Sequence, residues 1–205
     1  MPRCSRGRPG FTIVELLVSL GIIVVLSGMM MANFHGGQQA TELRLAADVA
    51  VNQIQTTQTS ALSGQLVLVC ANGTSPLAVC DNSSKQPPVS CGTGGTCQAR
   101  AVPGYGLRFT AASKTFLVFY DTNGNGRYDV GEDLTTKPYV QTGTVTLDSA
   151  NVPLPLDVVF QAPDGAMTFN GASAPDLVNL VLKHSTTGAT RNVKLYRITG
   201  KIEHD

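Results

Sequence analysis

The chain has 205 residues, of which 42% are apolar and 14% are charged, and its formal net charge is +1. This length suits a domain of ordinary size that can bury a hydrophobic core. Ordinary glycine and proline contents exclude collagen-like and low-complexity chains, and the near-zero net charge gives no compositional reason to expect a nucleic-acid-binding protein. The charge is unevenly distributed, because residues 1–10 carry three arginines and no acid whereas residues 11–34 carry only Glu15.

Residues 11–34 form an apolar stretch that would span about 36 Å as a helix, enough to cross a hydrocarbon core of roughly 30 Å. A secretory signal peptide has a shorter apolar region followed by a cleavage site, whereas this stretch continues into a helical pattern. We therefore expect a retained single-pass anchor whose arginine-rich end stays in the cytoplasm. Glu15 is costly in a membrane, so it either stays solvated at the interface or meets a positive partner on assembly.

The segment GFTIVELLV at residues 10–18 resembles the type IV prepilin signature. In that signature a basic leader ends in glycine, a phenylalanine comes next, and a glutamate lies four positions after the phenylalanine. The resemblance implies that a prepilin peptidase cleaves between Gly10 and Phe11 and methylates the new amine of Phe11. It also implies that Glu15 pairs with the Phe11 amine of a neighbouring subunit, where low dielectric strengthens the pair. Residues 31–33 lack the helix-kinking proline of many major pilins, which favours a minor subunit.

Beyond residue 34 the pattern becomes amphipathic, with one stripe of residues at steps of three and four. The stripe consists of Leu43, Ala47, Ala50, Ile54, Thr57 and Ala61. We predict one long helix over residues 11–63, weakened at Gly36 and Gly37, whose second half packs against the rest of the chain. A coiled-coil seam is the weaker alternative, because the heptads lack consistent flanking charges.

After Gly64, short β-branched and aromatic runs alternate with turn residues, which predicts strands. The clearest runs are residues 66–69, 107–110, 115–120, 144–147, 158–161, 178–182 and 192–198. The predicted fold is therefore α+β and pilin-like, with a long N-terminal helix packed against a β-rich globular head. The predicted segments are the leader 1–10, the transmembrane or filament-core helix 11–34, the amphipathic continuation 35–63 and the head 64–205.

The cysteines fit an exported head. Cleavage after Gly10 would remove Cys4 and leave an even set, Cys70, Cys80, Cys91 and Cys97. Disulfides persist outside the cytoplasm, and four cysteines allow three connectivities. We predict the pairs Cys70–Cys80 and Cys91–Cys97, because near neighbours close short loops cheaply. A zinc site is the weaker alternative, because the spacings do not match paired zinc ligands.

Residues 121–132, DTNGNGRYDVGE, match the twelve-residue calcium-loop pattern at every defined position. The expected ligands are side-chain oxygens, with a backbone carbonyl from Arg127: Asp121, Asn123, Asn125, Arg127, Asp129 and Glu132. Calcium is the cofactor we expect, with a dissociation constant on the order of 0.1–1 mM. The alternative is a turn rich in asparagine, aspartate and glycine that forms without metal.

The head also resembles the FimT/GspH group of minor pilins and minor pseudopilins, through FYDTNGNG at residues 119–126 and YRITGKI at residues 196–202. Five cations near the C-terminus have no acid among them: Lys183, Arg191, Lys194, Arg197 and Lys201. A solvated strand face is the first interpretation. The second is a DNA-contacting patch, because some FimT-like pilins take part in DNA uptake. No nucleophile motif or phosphate-binding glycine loop suggests an enzyme.

The leading hypothesis is a minor pilin or pseudopilin that assembles into a type IV pilus or a type II secretion pseudopilus, at or near the tip. A DNA-binding minor pilin of a competence system is the alternative. The expected partners are prepilin peptidase, other pilin or pseudopilin subunits, the inner-membrane assembly machinery and, before assembly, membrane lipid. The chain would start in the bacterial inner membrane with its head in the periplasm or exterior.

Overall fold

The computed structural model describes residues 11–70, 79–80, 96–171 and 175–205, without the side chains of residues 31–36. Within these ranges one helix, α1 (Ile13–Ser63), precedes eleven strands. The strands are β1 (Val67–Cys70), β2 (Cys97–Arg100), β3 (Gly104–Phe109), β4 (Thr115–Asp121), β5 (Asp133–Pro138), β6 (Val145–Ala150), β7 (Leu156–Gln161), β8 (Met167–Phe169), β9 (Leu177–His184), β10 (Thr190–Tyr196) and β11 (Lys201–His204).

The chain forms two compact units, Met1–Ala40 and Thr41–Asp205. In the first unit the described residues are the apolar part of α1. The 18 residues Ile13–Met30 are long enough and apolar enough to cross a membrane. The helix begins two residues later than predicted, because Thr12 caps it from outside.

The second unit contains three antiparallel sheets among its described residues. Their strand orders are β1-β2, β11-β10-β9-β6 and β5-β4-β3-β7-β8. Bulges interrupt the register between β4 and β5 and between β6 and β9. One hydrophobic cluster contains the inward residues of the two larger sheets together with the buried stripe of residues 41–63.

The helical stripe predicted from the sequence is confirmed, because all six of its residues are buried, and Ala46 is buried beside them. Alanine at four of these seven positions allows the helix backbone to lie close to the sheets. Ile54 is the largest fully buried side chain of the stripe. The helix therefore contributes directly to the core of the head, which confirms the α+β fold.

All seven predicted strands are present, with ends shifted by up to three residues. Four further strands were not predicted: β2, β5, β8 and β11. Strand β5 has five exposed residues in succession, and β8 has only three residues. Strand β5 lacks the alternation of apolar and polar residues that identifies a half-buried strand, and the alternation in β8 is too short to be recognised.

Candidate functional site

The N-terminal end of the helix is a capped terminus that carries Glu15 in its first turn. The Glu15 N–H donates to Thr12 Oγ1 at 3.3 Å, and the Leu16 N–H donates to the Thr12 carbonyl at 3.2 Å. Thr12 and Glu15 have the spacing of a capping box, a signal that the sequence reasoning missed. Within the described ranges, no cation pairs with the Glu15 carboxylate. Gly10 and the leader, with Cys4, lie outside these ranges.

The apolar surface of the first unit is unpartnered within that unit. From Phe11 to Met30 the large apolar side chains are 50–81% exposed. Isolated soluble proteins rarely expose so much continuous apolar surface, which marks membrane or protein contact. This surface is what a membrane, or a bundle of like helices, would cover.

The loop between β4 and β5 is organised around the carboxylate of Asp121, which is 2% exposed. Asp121 Oδ1 accepts hydrogen bonds from the N–H groups of Gly124 at 2.7 Å and Asn125 at 3.2 Å. Asp121 Oδ2 accepts another from the Gly126 N–H at 2.8 Å. Three backbone donors therefore compensate one buried charge and hold the turn in shape.

Glu132 closes the other end of this acidic loop (residues 121–132) and is fully buried. Its Oε1 accepts hydrogen bonds from the Thr122 N–H at 2.7 Å and the Thr122 hydroxyl at 2.8 Å, and its Oε2 accepts one from the Asp129 N–H at 2.9 Å. Burial raises the pKa of Glu132 above its ordinary value, and the nearby charge of Asp121 adds to the shift. The two buried carboxylates thus repel each other despite their hydrogen bonds.

The remaining candidate ligands lie on the exposed side of the loop. Asn123 Oδ1 accepts a hydrogen bond from the Asn125 N–H at 3.0 Å, and Asn125 Oδ1 accepts one from the Arg127 N–H at 2.8 Å. Both amide groups donate to Asp129 Oδ2 at 2.8 Å. These turns form from the chain's own groups, as the metal-free alternative requires.

Oxygen donors of this kind suit calcium, so the residues fit the ion chemically. No group of three or more His, Cys, Asp or Glu side chains in the described part of the chain is arranged to hold a metal. A calcium ion would therefore depend on amide and backbone oxygens as well as carboxylates. The loop connects strands β4 and β5 rather than two helices, and of these two strands only β4 was predicted from the sequence.

The acidic loop folds back onto the outer face of the five-stranded sheet. Phe119 covers Gly106, where an added Cβ would lie 2.3 Å from the Phe119 ring. The Tyr128 ring stands edge-on to Phe119 at 5.4 Å. Gly126 has a φ of 72° and passes so close to Gly171 that a Cβ would lie 2.7 Å from the Gly171 Cα. Glycine is required there for both conformation and space.

The disulfide pairing predicted from the sequence is wrong. Cys80 and Cys97 are bonded, with their Cα atoms 6.2 Å apart. Cys97 lies opposite Cys70 at the end of the β1–β2 ladder, and the Cys80 N–H donates to the Leu68 carbonyl of β1, so sheet pairing brings the two together. Cys70 is disulfide-bonded as well. The partner of Cys70 lies outside the described residues, and so does Cys91.

The basic residues near the C-terminus do not form a free patch. Four of the five lie within ion-pair distance of an acid: Lys183 with Asp148, Lys194 with Asp205, Arg197 with Asp176, and Lys201 with Glu203. Hydrogen bonds to these acids raise the pKa of Lys194 and Lys201. Arg191 has no ion pair within the described ranges, and its Nε is buried without a hydrogen-bond partner. These acids lie outside the basic run: Asp148 and Asp176 precede it in the chain, whereas Glu203 and Asp205 follow it.

Two histidines join the helix to the four-stranded sheet, an arrangement that the sequence reasoning missed. The buried His184 accepts the N–H groups of Thr186 and Thr187 at Nδ1, so its Nε2 carries the proton and donates to Glu42 Oε2 at 3.2 Å. His204 Nε2 lies 2.9 Å from Asp48 Oδ1. Because Glu42 and His184 are 142 positions apart, no local pattern could have indicated the contact.

A family model described as the prokaryotic N-terminal methylation motif matches residues 5–31. No curated protein and no solved structure matches the chain. The matched residues include Gly10, Phe11 and Glu15 and most of the apolar part of α1. The match supports a type IV pilin-like protein that prepilin peptidase processes, and the family that carries this motif is structural rather than catalytic. It also supports membrane anchoring and assembly with other pilin subunits.

Proposed function

We propose that the chain is a minor pilin or minor pseudopilin of the FimT/GspH type, which assembles through α1 into a type IV pilus or a type II secretion pseudopilus. The observation that carries the proposal is the methylation motif at residues 5–31, together with the exposed apolar side chains of α1 from Ile13 to Met30. Packing of such helices in a filament would bury this surface, and burial of apolar area provides the affinity.

Glu15 gives the assembly its register in this proposal. The carboxylate lies in the first helical turn, close to the new N-terminus that cleavage before Phe11 would create. A methylated amine on a neighbouring Phe11 would supply the counter-charge for Glu15. An unpaired charge among packed apolar helices is costly. The axial offset between neighbouring helices that places the amine beside Glu15 is therefore favoured over other offsets.

The head contributes specificity rather than affinity in this proposal. Its described apolar residues are mostly buried in one cluster, whereas the strand faces carry charged pairs. A head of this kind suits a position at or near the filament tip, where few subunits surround it. The head would lie in the periplasm or exterior, where its disulfides persist.

The test replaces Glu15 by alanine in the full chain, with Glu203→Ala as the matched control on the head. Glu15→Ala should leave the protein in the membrane fraction but reduce its share in sheared filaments or pseudopili by at least about tenfold, equivalent to about 1.4 kcal/mol. Glu203→Ala should assemble like the wild type. Equal incorporation of both variants would contradict the role of Glu15, and loss of membrane insertion would contradict the claim that it acts in assembly alone.

We also propose that the acidic loop binds calcium weakly. The supporting observation is the pair of buried carboxylates, Asp121 and Glu132, whose mutual repulsion a divalent cation would relieve. Thermal melting of the full chain in detergent micelles should shift upward with millimolar calcium, relative to chelator, and Asp129→Ala should reduce the shift. A wild-type melting temperature that is the same in both buffers would rule calcium out.

A further inference from the structure

A cavity of about 390 Å³ lies where the acidic loop meets the outer face of the five-stranded sheet. Its polar walls include Arg108 of β3, Asp157 of β7, and Arg127, Tyr128 and Asp129 of the loop. Arg108 and Asp157 face each other across the β3–β7 ladder. The volume is within the range of small-ligand sites, roughly 300–1,000 Å³.

Asp157 is the unusual group in this cavity, because its side chain is 7% exposed and one of its oxygens has no hydrogen-bond donor among the described residues. Oδ2 accepts the Tyr128 N–H at 3.1 Å. Oδ1 is buried, and its nearest cation, Arg108 Nε, lies 3.7 Å away, beyond hydrogen-bond distance. Burial raises the pKa of Asp157 above its ordinary value. A buried carboxylate oxygen without a donor is costly and rare in native proteins, so a missing partner is indicated.

The two arginines supply the opposite chemistry. The Arg108 guanidinium lies 4.9 Å from the centre of the Tyr128 ring, and its NH1 contacts the Tyr128 carbonyl at 3.5 Å. Arg127 uses its Nε to donate to the Asn170 carbonyl at 2.7 Å. The other guanidinium N–H groups make no hydrogen bond with the described residues. The cavity therefore presents unused donors beside an unused acceptor.

The charges of the cavity balance, since Arg108 and Arg127 stand against Asp129 and Asp157. The arginines would attract a strongly anionic ligand, but both carboxylates would repel it. A cationic ligand would be attracted by the carboxylates and repelled by the arginines. A ligand that donates and accepts within a short distance, without net charge, satisfies all four groups. Hydroxyl groups on adjacent carbons have this property, because each is both a donor and an acceptor.

We propose that this cavity binds a neutral sugar unit, with one hydroxyl donating to Asp157 Oδ1 and neighbouring hydroxyls accepting from Arg108 and Arg127. Arg108 Nε and Asp157 Oδ1 are 3.7 Å apart, too far for a hydrogen bond, and a hydroxyl that approaches from the cavity side would bridge them by accepting from Arg108 and donating to Asp157. Among the described lining residues only Pro155 and the Tyr128 ring are apolar, which disfavours a peptide end with an apolar terminal side chain as the occupant.

The experiment is saturation-transfer difference NMR on the full chain, in micelles of a detergent without a sugar headgroup. The probes are the methyl glycosides of glucose, galactose and mannose, compared with glucuronate and inorganic phosphate, and empty micelles are the blank. At least one glycoside should receive magnetisation and bind with a millimolar dissociation constant, more tightly than glucuronate or phosphate. Absence of binding by all three glycosides, or preference for either anion, would overturn the proposal.

Two variants locate the site. Asp157→Asn retains an acceptor for the Tyr128 N–H but places an NH2 group where the sugar needs an acceptor, so binding should weaken by about tenfold or more. Arg127→Gln removes the guanidinium that the loop contributes to the cavity, so it should also weaken binding. This second variant keeps the test valid if Asp157→Asn folds poorly. Arg100→Gln alters an exposed arginine on β2 and should bind like the wild type. Wild-type affinity in both cavity variants, or equal weakening in Arg100→Gln, would place the sugar elsewhere.

Discussion

Replacement of Asp121 by alanine tests whether backbone hydrogen bonds hold the acidic loop in place. The substitution removes the acceptor of three N–H groups, those of Gly124, Asn125 and Gly126. A hydrogen bond to a charged group contributes about 1.5–3 kcal/mol when its loss leaves a buried donor unpaired, and less when water can replace it. Only the Gly126 bond is buried, so we expect a total loss of about 3–4 kcal/mol.

For a unit of this size, such a loss lowers the melting temperature by about 6–16 °C. The assay is thermal unfolding of the full chain in micelles, followed by near-ultraviolet circular dichroism of the tyrosines, with chelator present so that calcium plays no part. The matched control is Asp164→Ala, which removes one exposed bond to the Ala166 N–H and should cost less than about 1 kcal/mol. Melting of the two variants at the same temperature would refute the reasoning.

Three further predictions concern the helix–sheet contact, the disulfide and the core. Hydrogen bonds led by the Thr144 hydroxyl lower the pKa of Glu42 below 4.5, so the stability they provide is present above that pH and is lost as the pH falls through the folded-state pKa. The melting-temperature difference between wild type and Glu42→Gln should therefore be largest near neutral pH and shrink as the pH falls below 4.5, and a constant difference would contradict this. Replacing Cys80 and Cys97 together by alanine releases a constraint across a sequence separation of 17 and should cost about 3 kcal/mol, measured by urea unfolding under oxidising conditions. Ile54→Ala truncates a fully buried side chain and should cost about 2–5 kcal/mol in the same assay, whereas a cost below about 1 kcal/mol would mean that the helix is not part of the core.

The helix and most strands were predictable because their information is local. The helical stripe repeats at the period of the α-helix, and every residue assigned to it is buried. Strand β4 follows a continuous run of apolar and aromatic residues that ends at Asp121. Strand β5 escaped prediction because it is exposed along its length and is held by pairing with β4 rather than by its own apolar residues.

Contacts between distant segments could not be predicted, because they depend on which strands pair and in which register, and no local sequence pattern specifies this. Near neighbours in sequence suggested Cys70–Cys80, whereas the β1–β2 ladder brings Cys97 to the end of β1 beside Cys80. Arg108 and Asp157 meet only because β7 pairs with β3 rather than with its predecessor in sequence. The acids that pair with four of the C-terminal cations come from other elements or from beyond the basic run, so the run alone did not indicate these ion pairs.

The central claim, that the chain is a processed pilin-like subunit, is tested most directly at its N-terminus. The protein should be purified from membranes of a host that has prepilin peptidase, and its N-terminal peptide should be analysed by mass spectrometry. The account predicts a chain that begins at Phe11 and carries one methyl group on the Phe11 amine. A chain that still begins at Met1, or one cleaved beyond Glu15, would contradict it.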